Sequence, residues 1–281
     1  MLYVFVSLFM YACTKENAYL KPNNTSTEGS ASSGVSLLAA IHQYTAGYQV
    51  CDSFQYDSVH RVVGFLQSVY DSTKGSPLSS GFNTYFAYSG GSSLPYAYTQ
   101  AIDGFSFTDK HLLTYDSQGR IVKDTSLSGS GFVCHYAYPG DDIASTLLFN
   151  GSPGNNQIDT LFLTGGNILS GHVYYPNMEG SADSLSAVFQ SGFAAYANPG
   201  YNPTVSPAIG PLLYLLAIDG YGGYSDYISK NAVSRISGSG QGLPPGTVIG
   251  ITYTPDAQNR AAKAVETYAE ITVATSVFTY Y

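Results

Sequence analysis

The sequence repeatedly places a tight-turn signal between two short runs of alternating apolar and polar residues. The clearest copy spans residues 113–122, where Tyr115-Asp116-Ser117-Gln118-Gly119-Arg120 lies between two such runs. Asp116 can accept hydrogen bonds from the backbone of its own turn, and Gly119 can adopt a positive φ without steric cost. Because period-two alternation is typical of a strand with one buried face, this copy predicts a β-hairpin with Asp116 and Gly119 at its corner.

The same arrangement recurs along most of the chain. Further turn signals lie at Tyr56-Asp57-Ser58, Tyr138-Pro139-Gly140-Asp141-Asp142, Thr164-Gly165-Gly166-Asn167 and Tyr253-Thr254-Pro255-Asp256. Residues 261–270 have some helical propensity, but their place between a turn signal and the run at 272–281 favours a strand. Short strands with regular turns predict an all-β fold, mainly an antiparallel meander of consecutive hairpins in one large twisted or curled sheet.

One segment departs from this pattern. Residues 207–216 are apolar without alternating, and Pro207 stands where a proline can open a helix. The segment predicts either one short helix near residues 207–217 that packs on the sheet, or a buried loop.

Composition agrees with a β-rich fold and argues against one class of partner. Tyrosine, present 26 times, suits a half-buried pleated surface because its ring packs while its hydroxyl stays in water. Charged residues make up 11% of the chain, and the net charge is −8. The basic residues are scattered singly, so no basic stripe can neutralise phosphates, and nucleic acid is not an expected partner.

The first 36 residues predict export and anchoring. Residues 2–12 form an uncharged apolar run that is too short to span a bilayer and fits the core of a signal peptide. Met10-Tyr11-Ala12-Cys13 resembles the lipobox of bacterial lipoproteins, which implies acylation of Cys13. The polar stretch that follows predicts a flexible tether. We therefore expect a signal peptide at 1–12, a lipidated cysteine and tether at 13–36, and a single β-rich domain at 37–281.

The two remaining cysteines, Cys51 and Cys134, both lie in strand-like runs. An exported protein permits a disulfide between them, and two buried free thiols are an equal alternative. Neither a Cys-x-x-Cys pair nor a cluster of Cys and His occurs in the sequence, so we expect no zinc site.

Five motifs are spread along the chain: Tyr56-Asp57 with Arg61, Tyr115-Asp116-Ser117-Gln118-Gly119-Arg120, Tyr196-Ala197-Asn198-Pro199, Ser229-Lys230-Asn231-Ala232-Val233, and Tyr253-Thr254-Pro255-Asp256 with Arg260. Together they resemble a family of Bacteroidetes lipoproteins related to tyrosine–aspartate (RHS-type) repeats. The resemblance covers most of the chain from about residue 54 and implies a β-rich surface or periplasmic protein. It implies no activity.

A search for catalytic chemistry finds no persuasive constellation. The five histidines share no metal-ligand spacing. Cys134 and His135 are adjacent in a predicted strand, so they should point to opposite faces and cannot form a dyad. Asp141-Asp142 supplies too few oxygens for calcium. We therefore predict no catalytic residues, no metal and no cofactor.

The tyrosines are the better functional signal. Tyr96 and Tyr98 stand near Gly90, Gly91 and Pro95, and Tyr221 and Tyr224 stand among glycines that give no side-chain cover. If exposed, these four tyrosines could bind the apolar faces of sugars or a partner protein. Packing within the sheet is the alternative.

The sequence thus predicts a cell-envelope, outer-membrane lipoprotein that acts as a non-enzymatic binding or structural module. Its expected partners are the membrane, through the anchor at Cys13, and a glycan or protein ligand. A secreted glycan hydrolase that uses a carboxylate pair is one alternative. A purely structural envelope component is another.

Overall fold

The computed structural model describes residues 37–71, 76–77, 82–102, 106, 108–128, 133–140, 142–148, 157–175, 184–199, 201, 210–212, 228–240 and 243–281. These residues form seventeen strands: β1 (Leu38–Thr45), β2 (Tyr48–Tyr56), β3 (Val62–Asp71), β4 (Ser76–Pro77), β5 (Phe82–Tyr88), β6 (Pro95–Ile102), β7 (Thr108–Tyr115), β8 (Ile121–Ser126), β9 (Val133–Ala137), β10 (Ile143–Leu148), β11 (Gln157–Thr164), β12 (Asn167–Tyr175), β13 (Ser184–Ala197), β14 (Asn231–Gly240), β15 (Leu243–Pro255), β16 (Ala261–Tyr268) and β17 (Ile271–Tyr280). The prediction of an all-β antiparallel meander is confirmed, and 261–268 is a strand as expected.

The sheet closes on itself. Apart from β4 and β5, which both pair with β3, each strand pairs antiparallel with its neighbours in the chain. In addition, β1 pairs antiparallel with β17, from Leu38 opposite Tyr280 to Thr45 opposite Ala274. The short β4 and the longer β5 both pair with β3, so they occupy one place in the ring. The described strands therefore form a closed antiparallel barrel with sixteen places.

The barrel has two ends, which we name by the turns that lie there. The turns after β2, β5, β7, β9, β11 and β15 lie at one end, which we call the corner end, and the turns after β1 and β16 lie at the other, which we call the open end. Both ends of the domain are at the corner end, where the Tyr281 amide donates to the Leu37 carbonyl oxygen at 3.0 Å.

The inner face of the barrel is apolar near the corner end. Buried side chains such as Ile41, Phe65, Ile121 and Val233 belong to one continuous cluster to which nearly every strand contributes. Because one cluster touches strands all around the ring, it must lie inside the ring. A circular ring of this size could leave an open lumen, but here the inner side chains pack together at this level.

The long connection between β13 and β14 takes part in this packing. Residues 210–212 are helical, which agrees with the short helix expected near 207–217 as far as that segment is described. Leu212 and Ile228 are both buried in the core cluster. The base of the connection is clamped where Asn198 Nδ2 donates to the Ser229 carbonyl oxygen at 2.8 Å.

Three hairpins end in the same corner, at residues 57–61, 116–120 and 256–260. In each, one aspartate oxygen accepts two backbone N–H groups of the turn, and the other accepts from the arginine Nε at 2.7–2.8 Å. The fourth position has a positive φ: 66° at His60, 76° at Gly119 and 60° at Asn259. Each arginine then lies over a tyrosine ring, at 4.2–4.5 Å from the centroid.

Tyrosines also join neighbouring strands at the corner end. Six tyrosines, each on or directly after a strand that runs toward this end, donate their hydroxyl to a backbone carbonyl oxygen near the start of a neighbouring strand. The distances are 2.7–3.1 Å, and the pairs are Tyr56 with Leu38, Tyr88 with Val62, Tyr115 with Pro95, Tyr138 with Ile121, Tyr253 with Val233, and Tyr280 with Ala261. Burial raises the pKa of Tyr280 to about 12, so this hydroxyl keeps the proton that it donates. These bonds account for part of the tyrosine-rich composition.

Candidate functional site: a buried polar cluster inside the barrel

A belt of polar side chains lies on the inner face, farther from the corners than the apolar cluster. It begins one inward-facing position beyond the apolar pair Phe54–Phe65, with Asp52 opposite Gln67. Its members are buried and come from strands on one side of the ring: Gln43, Asp52, Gln67, Thr84, Asp109, His111, Asp124 and Ser276. Because buried polar groups need hydrogen-bond partners, the belt is the part of the interior in which we look for a functional site.

The densest part of the belt joins β6, β7 and β8. His111 Nδ1 lies 2.7 Å from Asp124 Oδ1, and its Nε2 lies 3.3 Å from Asp109 Oδ2. Tyr98 donates its hydroxyl to Asp124 Oδ2 at 2.6 Å, and its ring stacks on the His111 ring at a centroid distance of 4.3 Å. Ser126 donates to Asp109 Oδ1 at 2.6 Å. The five side chains form one continuous network of hydrogen bonds and close polar contacts.

The electrostatics of this network fix one of its donors. Burial, reinforced by the nearby Asp124 carboxylate, raises the pKa of Tyr98 well above its usual range. Tyr98 therefore stays protonated and serves as a hydrogen-bond donor to Asp124 rather than as a base.

A histidine oriented by a carboxylate can serve as a general base. The side chains of His111, Asp109 and Asp124 are only 3%, 6% and 0% exposed, however. In this structure the network therefore contacts other parts of the protein rather than a molecule in solution.

Two further polar pairs lie on the same inner face. Gln67 Nε2 donates to Asp52 Oδ1 at 3.1 Å between β3 and β2. Gln43 Nε2 approaches Glu266 Oε1 at 3.5 Å between β1 and β16. Both pairs link strands near the closure of the ring.

A second group of reactive residue types lies on the outer face of β1 and β2. His42 contacts Gln49 Nε2 through Nδ1 at 3.2 Å and Cys51 Sγ through Nε2 at 4.0 Å. Burial lowers the pKa of His42. Cys51 is itself only 1% exposed, so this thiol is not open to solvent.

The four predicted ligand-binding tyrosines have different outcomes. Tyr96 is 51% exposed and so is available to a ligand. Tyr98 is 1% exposed, so the expectation that it is an exposed tyrosine was wrong. The neighbouring glycines suggested exposure, but Tyr98 pairs with His111 on the inner face of the sheet, where the polar network encloses it. Tyr221, Tyr224 and Cys13 lie outside the described residues.

The other predicted positions are placed as follows. Asp116 and Gly119 lie in the corner between β7 and β8. The hydrogen bond from the Arg120 backbone, helped by the Arg120 side chain and partly opposed by desolvation, lowers the pKa of Asp116. Cys51 and Cys134 are buried free thiols, so the second of the two alternatives for these cysteines holds. Cys134 is buried and His135 is exposed, as expected of adjacent residues in a strand.

Sequence reasoning missed the network around His111. Its members come from three strands, and nothing in their spacing identifies them as neighbours. Alternation gave little signal, because Asp109, His111 and Leu113 share one face of β7 while Lys110 and Leu112 share the other, so the sequence does not say which face is buried. Among the described residues, no group of three or more His, Cys, Asp or Glu side chains is arranged to hold a metal ion.

The outer wall of the barrel carries basic residues. Four of them each directly precede a buried inner-face residue: Lys110 precedes His111, Lys123 precedes Asp124, Arg235 precedes Ile236 and Lys263 precedes Ala264. Since adjacent side chains of a strand point to opposite faces, all four point outward. Arg235 lies in the middle of β14 and pairs with Gly192 and Gly250. No helical segment in the part of the chain that the structure describes is long and apolar enough to cross a bilayer.

Comparison with known proteins defines the class of fold. No family model and no curated protein matches the sequence. Among solved structures, the chain is similar to a porin-like protein from Bacteroides uniformis ATCC 8492, with a TM-score of 0.55 and 11% identity over 87% of this chain and 98% of that one. A porin-like protein from Bacteroides vulgatus ATCC 8482 matches with a TM-score of 0.53 and 10% identity, over 88% and 99%. At these identities the likeness shows a shared fold.

Proposed function

We propose that this chain is a lipid-anchored protein of the bacterial cell envelope whose barrel stands in water and acts as a non-enzymatic binding or structural module. The observation that carries this proposal is the polarity of the wall. Apolar side chains fill the interior near the corner end, while Lys110, Lys123, Arg235 and Lys263 point outward.

A barrel that crosses a membrane differs mainly in its outer face, since the interior described here also carries the polar belt. It presents an outward apolar band about 25 Å tall and usually a polar interior. A lysine or arginine on the lipid-facing side costs about 2–4 kcal/mol at the bilayer midplane. That cost falls to about 0–1 kcal/mol near the interfaces, so it bears most on Arg235, in the middle of β14, and less on Lys123 and Lys263, which lie near the corner end. The described outer face also exposes Tyr85, Leu112 and Leu169, so the basic residues are what favours water over lipid.

The proposed anchor is Cys13. The first residues have the apolar run and the Met10-Tyr11-Ala12-Cys13 motif that resemble a lipoprotein signal. About 24 residues then separate Cys13 from the first strand, and a fully extended segment of this length reaches roughly 80 Å. Such a tether lets a water-soluble barrel remain at a membrane.

The proposed ligand is a glycan or a protein. Of the tyrosines that we assign to ligand binding, Tyr96 is exposed in the structure. A purely structural role is the second candidate, because the packed interior and the three corner ion pairs favour a rigid scaffold.

Phase partition of the full chain tests this proposal. In Triton X-114, the wild type should enter the detergent phase, while Cys13→Ala should stay in the aqueous phase, and only the wild type should incorporate a fatty-acid probe. If Cys13→Ala also enters the detergent phase, a part of the chain other than an acyl group at Cys13 binds the detergent, which overturns the proposed anchor. If both proteins stay aqueous and unlabelled, Cys13 is not an anchor.

A further inference from the structure

Exposed apolar side chains gather at the open end of the barrel. Six of them lie on five adjacent strands, β15, β16, β17, β1 and β2, and we call them the rim: Tyr44, Tyr48, Val248, Tyr268, Ile271 and Val273. Strand pairing brings them close together. Tyr268 pairs with Ile271 across the β16–β17 turn, and Tyr44 pairs with Thr275, which lies two residues from Val273 on β17. Ile271, at the tip, is 68% exposed, which is the largest exposure among these six.

The turn that carries Ile271 is strained. Ala269 and Glu270 have φ angles of 47° and 67°, although such turns usually place glycine or asparagine at positions with positive φ. A left-handed conformation at an alanine is unfavourable, and strained turns persist mainly where they have a role. Here the strain holds an isoleucine at the tip, beyond the end of the β1–β2 hairpin.

The charge of the rim indicates which kind of membrane surface could cover it. Residues 44–48, 246–250 and 266–275 contain no lysine or arginine, and they include Glu266 and Glu270. An anionic surface would therefore gain no electrostatic attraction here. Tyrosines with exposed aliphatic side chains are instead the residues that enter the interface of a bilayer.

From these observations we infer that the rim docks on the surface of a zwitterionic lipid bilayer. The inference rests on the proposed anchor at Cys13, because the tether of residues 13–36 is what would allow the rim to reach the membrane. The tether starts at the corner end, and its reach of roughly 80 Å exceeds the roughly 30 Å height of strands with eight to ten residues. The open end can therefore turn toward the membrane that holds Cys13. One acyl chain alone binds a membrane only weakly and reversibly, so stable binding requires a second attachment. The rim would supply it.

The absence of tryptophan from the sequence permits a clean test. A single tryptophan is introduced into the full chain that carries Cys13→Ala, either at the rim (Ile271→Trp) or at the corner end (Val59→Trp). Val59 is a matched control because it is 66% exposed, nearly as much as Ile271. Each protein is mixed with phosphatidylcholine vesicles, with or without brominated acyl chains, and its fluorescence is recorded.

We expect the Ile271→Trp emission to shift to the blue and to be quenched several-fold by the brominated lipid, with no effect on Val59→Trp. In vesicle flotation, Ile271→Asp should reduce the bound fraction several-fold, while Val59→Asp should not. Quenching at neither site, or equal quenching at both, overturns the inference and leaves the rim to a protein or glycan. Since Cys13 is absent from these proteins, the result is independent of whether the chain is acylated.

Discussion

Replacing Gly119 by valine should destabilise the barrel through the backbone alone. Gly119 has φ of 76° in the corner after β7. A β-carbon added there would meet only Leu94 Cδ1 at 3.5 Å and Cδ2 at 3.9 Å, which is ordinary contact, so no steric overlap contributes. A left-handed conformation costs an L-residue about 1–2 kcal/mol, and a β-branched residue falls at the upper end. We therefore expect about 1 kcal/mol for Gly119→Ala and about 2 kcal/mol for Gly119→Val.

Urea unfolding measures this cost. With a slope of roughly 2–3 kcal/mol per molar, Gly119→Val should lower the midpoint by somewhat less than 1 M. Gly47→Val is the matched control, because Gly47 has open space around its Cβ position and lacks a positive φ. The equivalent corner position at His60 should respond in the opposite direction, so His60→Gly should raise the midpoint or leave it unchanged. Equal midpoints for Gly119→Val and the wild type would refute the assignment of this strain to the corner.

Three further predictions concern the titratable groups and the thiols. Desolvation opposes the shift, but hydrogen bonds from the turn backbone and from the arginine side chains outweigh it and lower the pKa of Asp57, Asp116 and Asp256. These aspartates therefore stabilise the fold above their unfolded pKa. Stability should fall as the pH drops below about 4, and less steeply in Asp256→Asn. Tyr98→Phe removes the hydroxyl donor to the buried Asp124 and should cost about 1–3 kcal/mol in the unfolding free energy, while the exposed Tyr96→Phe should cost almost nothing. Cys51 and Cys134 should react with a thiol reagent only after the protein is unfolded, and no reductant should be needed. If the unfolded protein reacts only after reduction, the two cysteines form a disulfide instead.

The corners could be predicted because their chemistry is local. Asp116, Gly119 and Arg120 lie within five residues of each other, and turn preferences assign each of them a position. The other two corners use His60 and Asn259 at the position of Gly119, which makes them harder to recognise from the sequence. The stacking of Arg120 on Tyr138 was not assigned because it joins two separate hairpins.

Closure of the ring and the polar network could not be predicted, since both depend on distant register. Leu38 pairs with Tyr280 at opposite ends of the domain, and a meander with the same hairpins could equally remain an open curled sheet. Likewise, Tyr98 and Tyr96 are close in sequence and share the same glycine-rich surroundings. Alternation would place both on one face, but the β5–β6 register shifts between the pairs Ala87–Ala97 and Tyr88–Pro95. This bulge leaves Tyr96 out of the β5–β6 ladder, while Tyr98 pairs with His111 inside.

A disulfide cross-link tests the central claim, a closed barrel that stands in water. Tyr44 of β1 pairs with Thr275 of β17, so Tyr44→Cys with Thr275→Cys places two thiols on neighbouring strands of the closure. The control pair is Tyr44→Cys with Lys263→Cys, because Lys263 pairs with Val277 and not with β1. In the full chain with Cys13→Ala, without detergent, mild oxidation should produce an intramolecular cross-link in the first pair and not in the control, in a monomeric protein. Absence of the cross-link, or its formation only in detergent, would contradict a closed, water-exposed ring.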